Sequence, residues 1–134
     1  MNEASVAESR AVSATWLRPA VVYFVLGIAL GIGMGISGNH SLFGVHAHLN
    51  LLGWASLALI GLIYGRWPEL ARNRLAKIHF WQHNLGLPVM MVGLAAKFTG
   101  VPALEPALYI GALVVAVSVL LFATNILRGM GRAA

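Results

Sequence analysis

The sequence contains no cysteine, which excludes disulfides, thiolate metal ligands and covalent c-type haem attachment. Charge is scarce as well. Only 10% of the 134 residues are charged and 59% are hydrophobic, with a mean hydropathy of +0.80. This composition excludes a soluble domain and predicts an integral membrane protein. The chain also lacks any polar segment large enough to house an enzyme site outside the bilayer.

What remains is four apolar stretches, each long enough to span at roughly 20 residues. They are placed at 19–37, 42–64, 78–98 and 106–127. Short connections make neighbouring helices antiparallel, so the expected fold is all-α, a single four-transmembrane-helix bundle. Residues 1–18 are polar and small and read as a loosely held N-terminal tail; 19–128 form the transmembrane domain, and 129–134 a short C-terminal tail. The first apolar stretch exceeds a signal-peptide core and no small-x-small cleavage site follows it, so it is expected to stay as a span.

Lys and Arg are unevenly distributed. Arg10, Arg18, Arg66, Arg72, Arg74, Lys77, Arg128 and Arg132 all fall at one end of such a stack, and only Lys97 at the other. The positive-inside rule places both termini in the cytoplasm of a bacterial-type inner membrane. The pI of 10.5 then reflects topology and contact with anionic lipid, with no nucleic-acid partner.

Gly27, Gly31 and Gly35 recur at four-residue spacing with Gly33 between them, and Gly61 and Gly65 repeat the pattern once. Small residues at this spacing let helices approach closely in lipid. Packing within the chain explains them, as would a subunit interface or clearance for a flat cofactor. Pro88 is expected to bend its helix. Trp16, Trp67 and Trp81 read as interface anchors, and Trp54 lies deeper.

Histidine carries the chemical information. His46 and His48 lie within an apolar run, where ionisable side chains mark function by default. Residues two apart on an α-helix diverge by about 200°, so the two rings cannot chelate one metal ion. They can reach two centres, or the same kind of centre on two faces of an oligomer. His79 and His83 share one helix face and are expected near the cytoplasmic surface, roughly 14–20 Å along the axis from the first pair. There they read as partners of headgroups or loop carbonyls, with metal binding the lesser alternative. His40 reads as a loop-bracing residue. Met90 and Met91, near the depth of His46, read as core filling.

The stretch Val45-His46-Ala47-His48 through Gly53-Trp54 to Tyr64, followed by Lys77-Ile78-His79-Phe80-Trp81 and Gly86, resembles subunit I of the haem-copper oxidases. It is similar to the tenth and eleventh transmembrane helices of the C-type, haem-b-containing cytochrome c oxidases, and covers about half of the chain. The resemblance implies that His46 and His48 are each axial ligands of haem iron, and that His79 is not an iron ligand. Other features depart from the family. Subunit I has twelve spans in three four-helix units, whereas this chain has one such unit. Where the family holds copper, the chain reads Ala95-Ala96-Lys97, which offers no donor atoms, so no copper is expected. The family's cross-linked tyrosine has no clear counterpart, nor does its propionate-binding arginine pair, where the chain reads Phe98-Thr99-Gly100-Val101-Pro102.

These readings converge on a haem-b-binding cytochrome, assembled as a homo-oligomeric ring. A trimer is favoured because three copies recreate the twelve-helix arrangement. Closed rings use heterologous interfaces, to which opposite-facing histidines are suited, and one iron is then shared between protomers for electron transfer with an unidentified redox partner. The alternatives are a gas-reactive haem (O₂ or NO) with an open coordination position, as oxidase, reductase or sensor, and a haem-free assembly subunit. A topology reporter fused after Ala134 is expected to score as cytoplasmic; a periplasmic signal would overturn the orientation.

Overall fold

The computed structural model describes residues 2–133, with side chains to Gly129; Arg132 in the charge count therefore lies outside the described side chains. Among the described residues the chain is helical, with no strand. Four long helices follow one another: α1 (Glu3–Ser37), α2 (Phe43–Arg66), α3 (Arg74–Thr99) and α4 (Pro106–Ala133). Three of them, α1, α2 and α4, are long and apolar enough to cross a membrane. The α3 helix matches them in length, at 26 residues. Its lower hydropathy comes from Arg74, Lys77, His79, Gln82, His83, Asn84 and Lys97 along its course.

Helix ends follow local chemistry. Asn2 caps α1 by accepting from the Ser5 N–H at 2.9 Å, and Gly38 closes it in the left-handed conformation at φ 68°, which glycine adopts without strain. A single turn at Pro68–Ala71 carries proline in its first turn, where the missing N–H costs nothing. Asn73 then caps α3 by accepting from the Ala76 N–H at 3.0 Å. Gly100 ends α3 at φ 75°, and Pro106 opens α4.

The N-terminal segment departs from expectation. Residues 3–18 are not a loosely held tail but the first four turns of the 35-residue α1. Alanine and serine there are small and compatible with helix, and they let α1 lie close along the far end of α2. The Ser13 hydroxyl donates to the Gly61 carbonyl at 3.1 Å, side chains at Gly65 would collide with Ser13, and Glu8 pairs with Arg72. Trp16 is likewise not an interface anchor. It is only 3% exposed, with its ring 5.3 Å from Tyr64, 4.8 Å from His79 and 5.0 Å from Phe80. One indole thus joins α1, α2 and α3. Trp81 does face outward, at 62% exposed.

The α3–α4 hairpin is held by close backbone approach. Gly93 meets the backbone of Ala107 and Leu108, and Gly111 meets that of Met90, so a Cβ at either position would collide with the facing helix. Met90 and Met91 fill the core beside them, as expected. At the charged end, buried Asn125 donates to Tyr64 Oη at 3.1 Å and to the Leu70 carbonyl at 2.9 Å, and accepts from Asn73. This latch ties α4 to α2 and to the connection before α3.

The burial of Trp16 sets a test. Trp16→Ala is expected to destabilise the folded chain by about 3–5 kcal/mol, as loss of a buried aromatic does, whereas Trp81→Ala changes stability by less than about 0.5 kcal/mol. Denaturant unfolding in a fixed detergent measures both. Equal effects would place Trp16 at the surface.

Candidate functional site

His46 lies near the start of α2 and turns toward α1. Its Nδ1 is 2.8 Å from the Gly27 carbonyl. A carbonyl only accepts, so Nδ1 carries the proton, and the lone pair of a neutral ring is left on Nε2. Glycine in α1 makes this approach possible: a Cβ at Gly31 would stand 2.7 Å from His46 Cε1, and one at Gly27 would run into the Asn50 amide. Two members of the glycine stripe therefore seat side chains of α2, while Gly33 and Gly35 face open space. Asn50 lies one turn after His46 and donates to the His46 carbonyl at 2.8 Å. Its amide also comes within 3.4 Å of His46 Nδ1, but both atoms are donors there, so that contact adds no bond.

His48 is arranged in the same way by a different route. Its Nδ1 is 2.7 Å from the carbonyl of Gly44, one turn back in its own helix, and again Nδ1 must donate. Gly44 itself faces Phe98 and Leu94 of α3. Gly44 and His48 share a side of α2 that meets α3, whereas His46 leans on α1. The bland reading, in which a backbone hydrogen bond satisfies each histidine, holds for Nδ1 alone. Each Nε2 has no hydrogen bond among the described residues, and neither is among the sealed, partnerless atoms, so both are reachable from outside the chain.

The helix changes pitch directly after His48. Leu49–Ala55 is π-helical, a form that is rare and often found beside functional sites. Its wider turn leaves backbone carbonyls available to side chains. The Ser56 hydroxyl donates to Leu51 O at 2.8 Å, and Leu52 O accepts from His83 Nε2 at 3.0 Å. Gly53 lets Tyr23 of α1 pack directly on the π segment. Trp54 stacks on Phe24, ring centroids 4.7 Å apart.

His79 and His83 are enclosed within the chain and are not open to headgroups. Both are 0% exposed. His83 reaches across to α2, donating from Nε2 to the Leu52 carbonyl at 3.0 Å, four residues past His48. Its Nδ1 faces the Ser118 hydroxyl at 3.2 Å, and Ser118 also donates to Val115 O at 2.7 Å. His79 sits between the rings of Trp16 and Phe122, at 4.8 and 5.4 Å, and neither of its nitrogens has a partner. Coverage explains the difference. The α1 extension and the helical start of α3 at Arg74 bury a position that the onset of the apolar run had placed at the edge. His40, by contrast, braces its loop as expected, with Nδ1 3.1 Å from Gly38 O.

Among the described residues no three His, Cys, Asp or Glu side chains gather as a metal site. Ala95 and Ala96 lie in the last turns of α3, with Ala96 buried. The chemistry on offer is thus two single imidazoles, one held against α1 and one against its own helix, each with Nε2 unbonded. Gly27, Gly31, Gly44 and Asn50 support them. Of these, only the glycine stripe and the four-residue intervals Gly44–His48 and His46–Asn50 left any trace in the sequence. No protein-family model matches the chain, and no curated protein or solved structure is detectably similar to it.

Proposed function

We propose that the chain is a haem-b-binding membrane cytochrome with four spans and both termini in the cytoplasm of a bacterial-type inner membrane. In this reading the iron is held by His46 of one protomer and His48 of the next in a closed ring of three. One observation carries it: both histidines direct Nδ1–H to a backbone carbonyl, at 2.8 and 2.7 Å, and leave Nε2 accessible. Metal-ligating histidines are held in this manner, because the carbonyl fixes tautomer and ring orientation and raises the basicity of the opposite nitrogen. The resemblance of the His46–Tyr64 region to haem-ligating helices of the haem-copper oxidases supports the same assignment.

The ring follows from the two directions of the rings. One chain cannot bring both nitrogens to one iron, and no other histidine with a free nitrogen stands beside either of them among the described residues. A neighbouring copy, rotated about an axis along the membrane normal, presents its own histidine at equal depth. The residues of the chain hold the two nitrogens, keep the rings in a single tautomer and surround them with apolar side chains, which disfavours water. Haem bound between two imidazoles supplies one-electron transfer without an open coordination position.

The test is an optical spectrum of the purified protein and its variants. The reduced wild type is expected to show sharp low-spin bands that carbon monoxide does not change. His46→Ala and His48→Ala are each expected to lose at least tenfold in low-spin haem per chain, and His40→Ala to lose none. Full retention of an unchanged spectrum in either of the first two variants removes that residue as a ligand. A carbon-monoxide-reactive high-spin spectrum in the wild type would contradict the shared-ligand reading.

A further inference from the structure

We propose that a pocket at the charged end of the molecule, between α3, α4 and the turn before α3, binds the headgroup of an anionic phospholipid. Its volume is about 290 Å³, and it is lined by Leu70, Asn73, Arg74, Leu75, Asn125 and Arg128, among others. Two arginines thus meet at one pocket from two helices, Arg74 at the start of α3 and Arg128 late in α4. Neither forms an ion pair among the described residues, where the one salt bridge joins Arg72 to Glu8. No Asp or Glu lines the pocket.

The hydrogen-bond inventory sets the polarity of the occupant. Both side-chain acceptors in the lining are used inside the chain. Asn73 Oδ1 accepts from the Ala76 N–H at 3.0 Å, and Asn125 Oδ1 accepts from the Asn73 amide. The Asn125 amide uses both of its hydrogens, on Tyr64 Oη and on the Leu70 carbonyl. What remain are donors, the two guanidinium groups and the second hydrogen of the Asn73 amide. Such a lining suits an anion with several acceptor oxygens, and a guanidinium matches a phosphate through paired N–H···O bonds. An ammonium headgroup would find no carboxylate and no free side-chain acceptor there. The same bonds hold Asn125, which is 3% exposed, so the floor of the pocket is fixed before an occupant arrives.

Position selects a lipid over a dissolved anion. Arg128 directly follows Leu127, where the apolar run of α4 ends. Leu120 and Leu127 are 65% and 73% exposed and lie nearly two turns apart, an apolar track that ends beside Arg128. The α4 helix is long and apolar enough to cross a membrane, and lipid headgroups lie at the ends of such spans. A phosphodiester held by Arg74 and Arg128 leaves its acyl chains to lie along the track. Basic pockets between spanning helices bind anionic headgroups in this way. The plain alternative, two arginines solvated by water, predicts equal losses from removing any arginine at this end. No residue of the pocket figures in the cytochrome reading, so the site stands whether or not haem binds.

The experiment is native mass spectrometry of the delipidated full chain in detergent, with equimolar palmitoyl-oleoyl phosphatidylglycerol and phosphatidylcholine added. The wild type is expected to retain one phosphatidylglycerol per chain, at least tenfold in excess over phosphatidylcholine. Arg74→Gln and Arg128→Gln are each expected to cut that preference at least fivefold. Arg66→Gln removes the same charge at the same end and is expected to leave it within twofold, because Arg66 stacks on Trp67 and does not line the pocket. Circular dichroism verifies the fold of each variant. Excess inorganic phosphate is expected to leave the lipid in place, and displacement by it would overturn the lipid assignment in favour of a free anion. No preference in the wild type, or an equal loss in all three folded variants, overturns the proposal.

Discussion

An imidazole in an apolar helix bundle has two nitrogens to satisfy, and the backbone of an unbroken helix offers it almost nothing. That constraint shapes the start of α2. His46 meets it by leaning on the Gly27 carbonyl of α1, which requires that Gly31 have no side chain. His48 meets it by bonding back to Gly44 within its own helix. Each solution uses Nδ1 and leaves Nε2 available. The proposed ligation by Nε2, and with it the proposed second copy, rests on these two hydrogen bonds.

The π segment extends the same economy down the helix. By widening one stretch, Leu49–Ala55, α2 frees carbonyls for Ser56 and His83. A polar connection therefore crosses from α2 to α3 and on to α4 through Ser118, inside otherwise apolar packing. Leu52 lies four positions past His48, so His46, His48 and the carbonyl that His83 reaches share one continuous piece of α2. His79 is left as the one histidine whose ring nitrogens are both sealed and partnerless among the described residues. A polar group in that state is costly in an apolar setting.

Much of this was legible in the sequence, for identifiable reasons. Apolar runs located the four long helices, because helix length and hydrophobic thickness are linked by rise per residue. The expectation that His46 and His48 diverge rests on helical twist alone. Burial at the other end was not legible. Residues 3–18 lack apolar periodicity, yet Ser13 and Trp16 pack them against Gly61, Tyr64 and His79, through pairwise contacts that no local window contains. The burial of His79 and His83 was not legible because the apolar run begins at Ile78, whereas α3 begins at Arg74 and Trp16 of α1 packs on His79. The pitch change after His48 has no local signature, and Gly27 as an acceptor became identifiable only once α1 and α2 were placed side by side.

The central claim is that one iron takes a nitrogen from each of two protomers, and mixing protomers tests it most directly. His46→Ala chains keep His48 and His48→Ala chains keep His46, so a ring that contains both kinds has interfaces with a full ligand pair. Co-expression with two different affinity tags, followed by tandem purification, isolates such rings. The account predicts that they regain low-spin haem, at a fraction of the wild-type content, while rings of either variant alone have almost none. If the tandem-purified rings are folded and co-assembled yet contain no low-spin haem, the shared-ligand account is wrong.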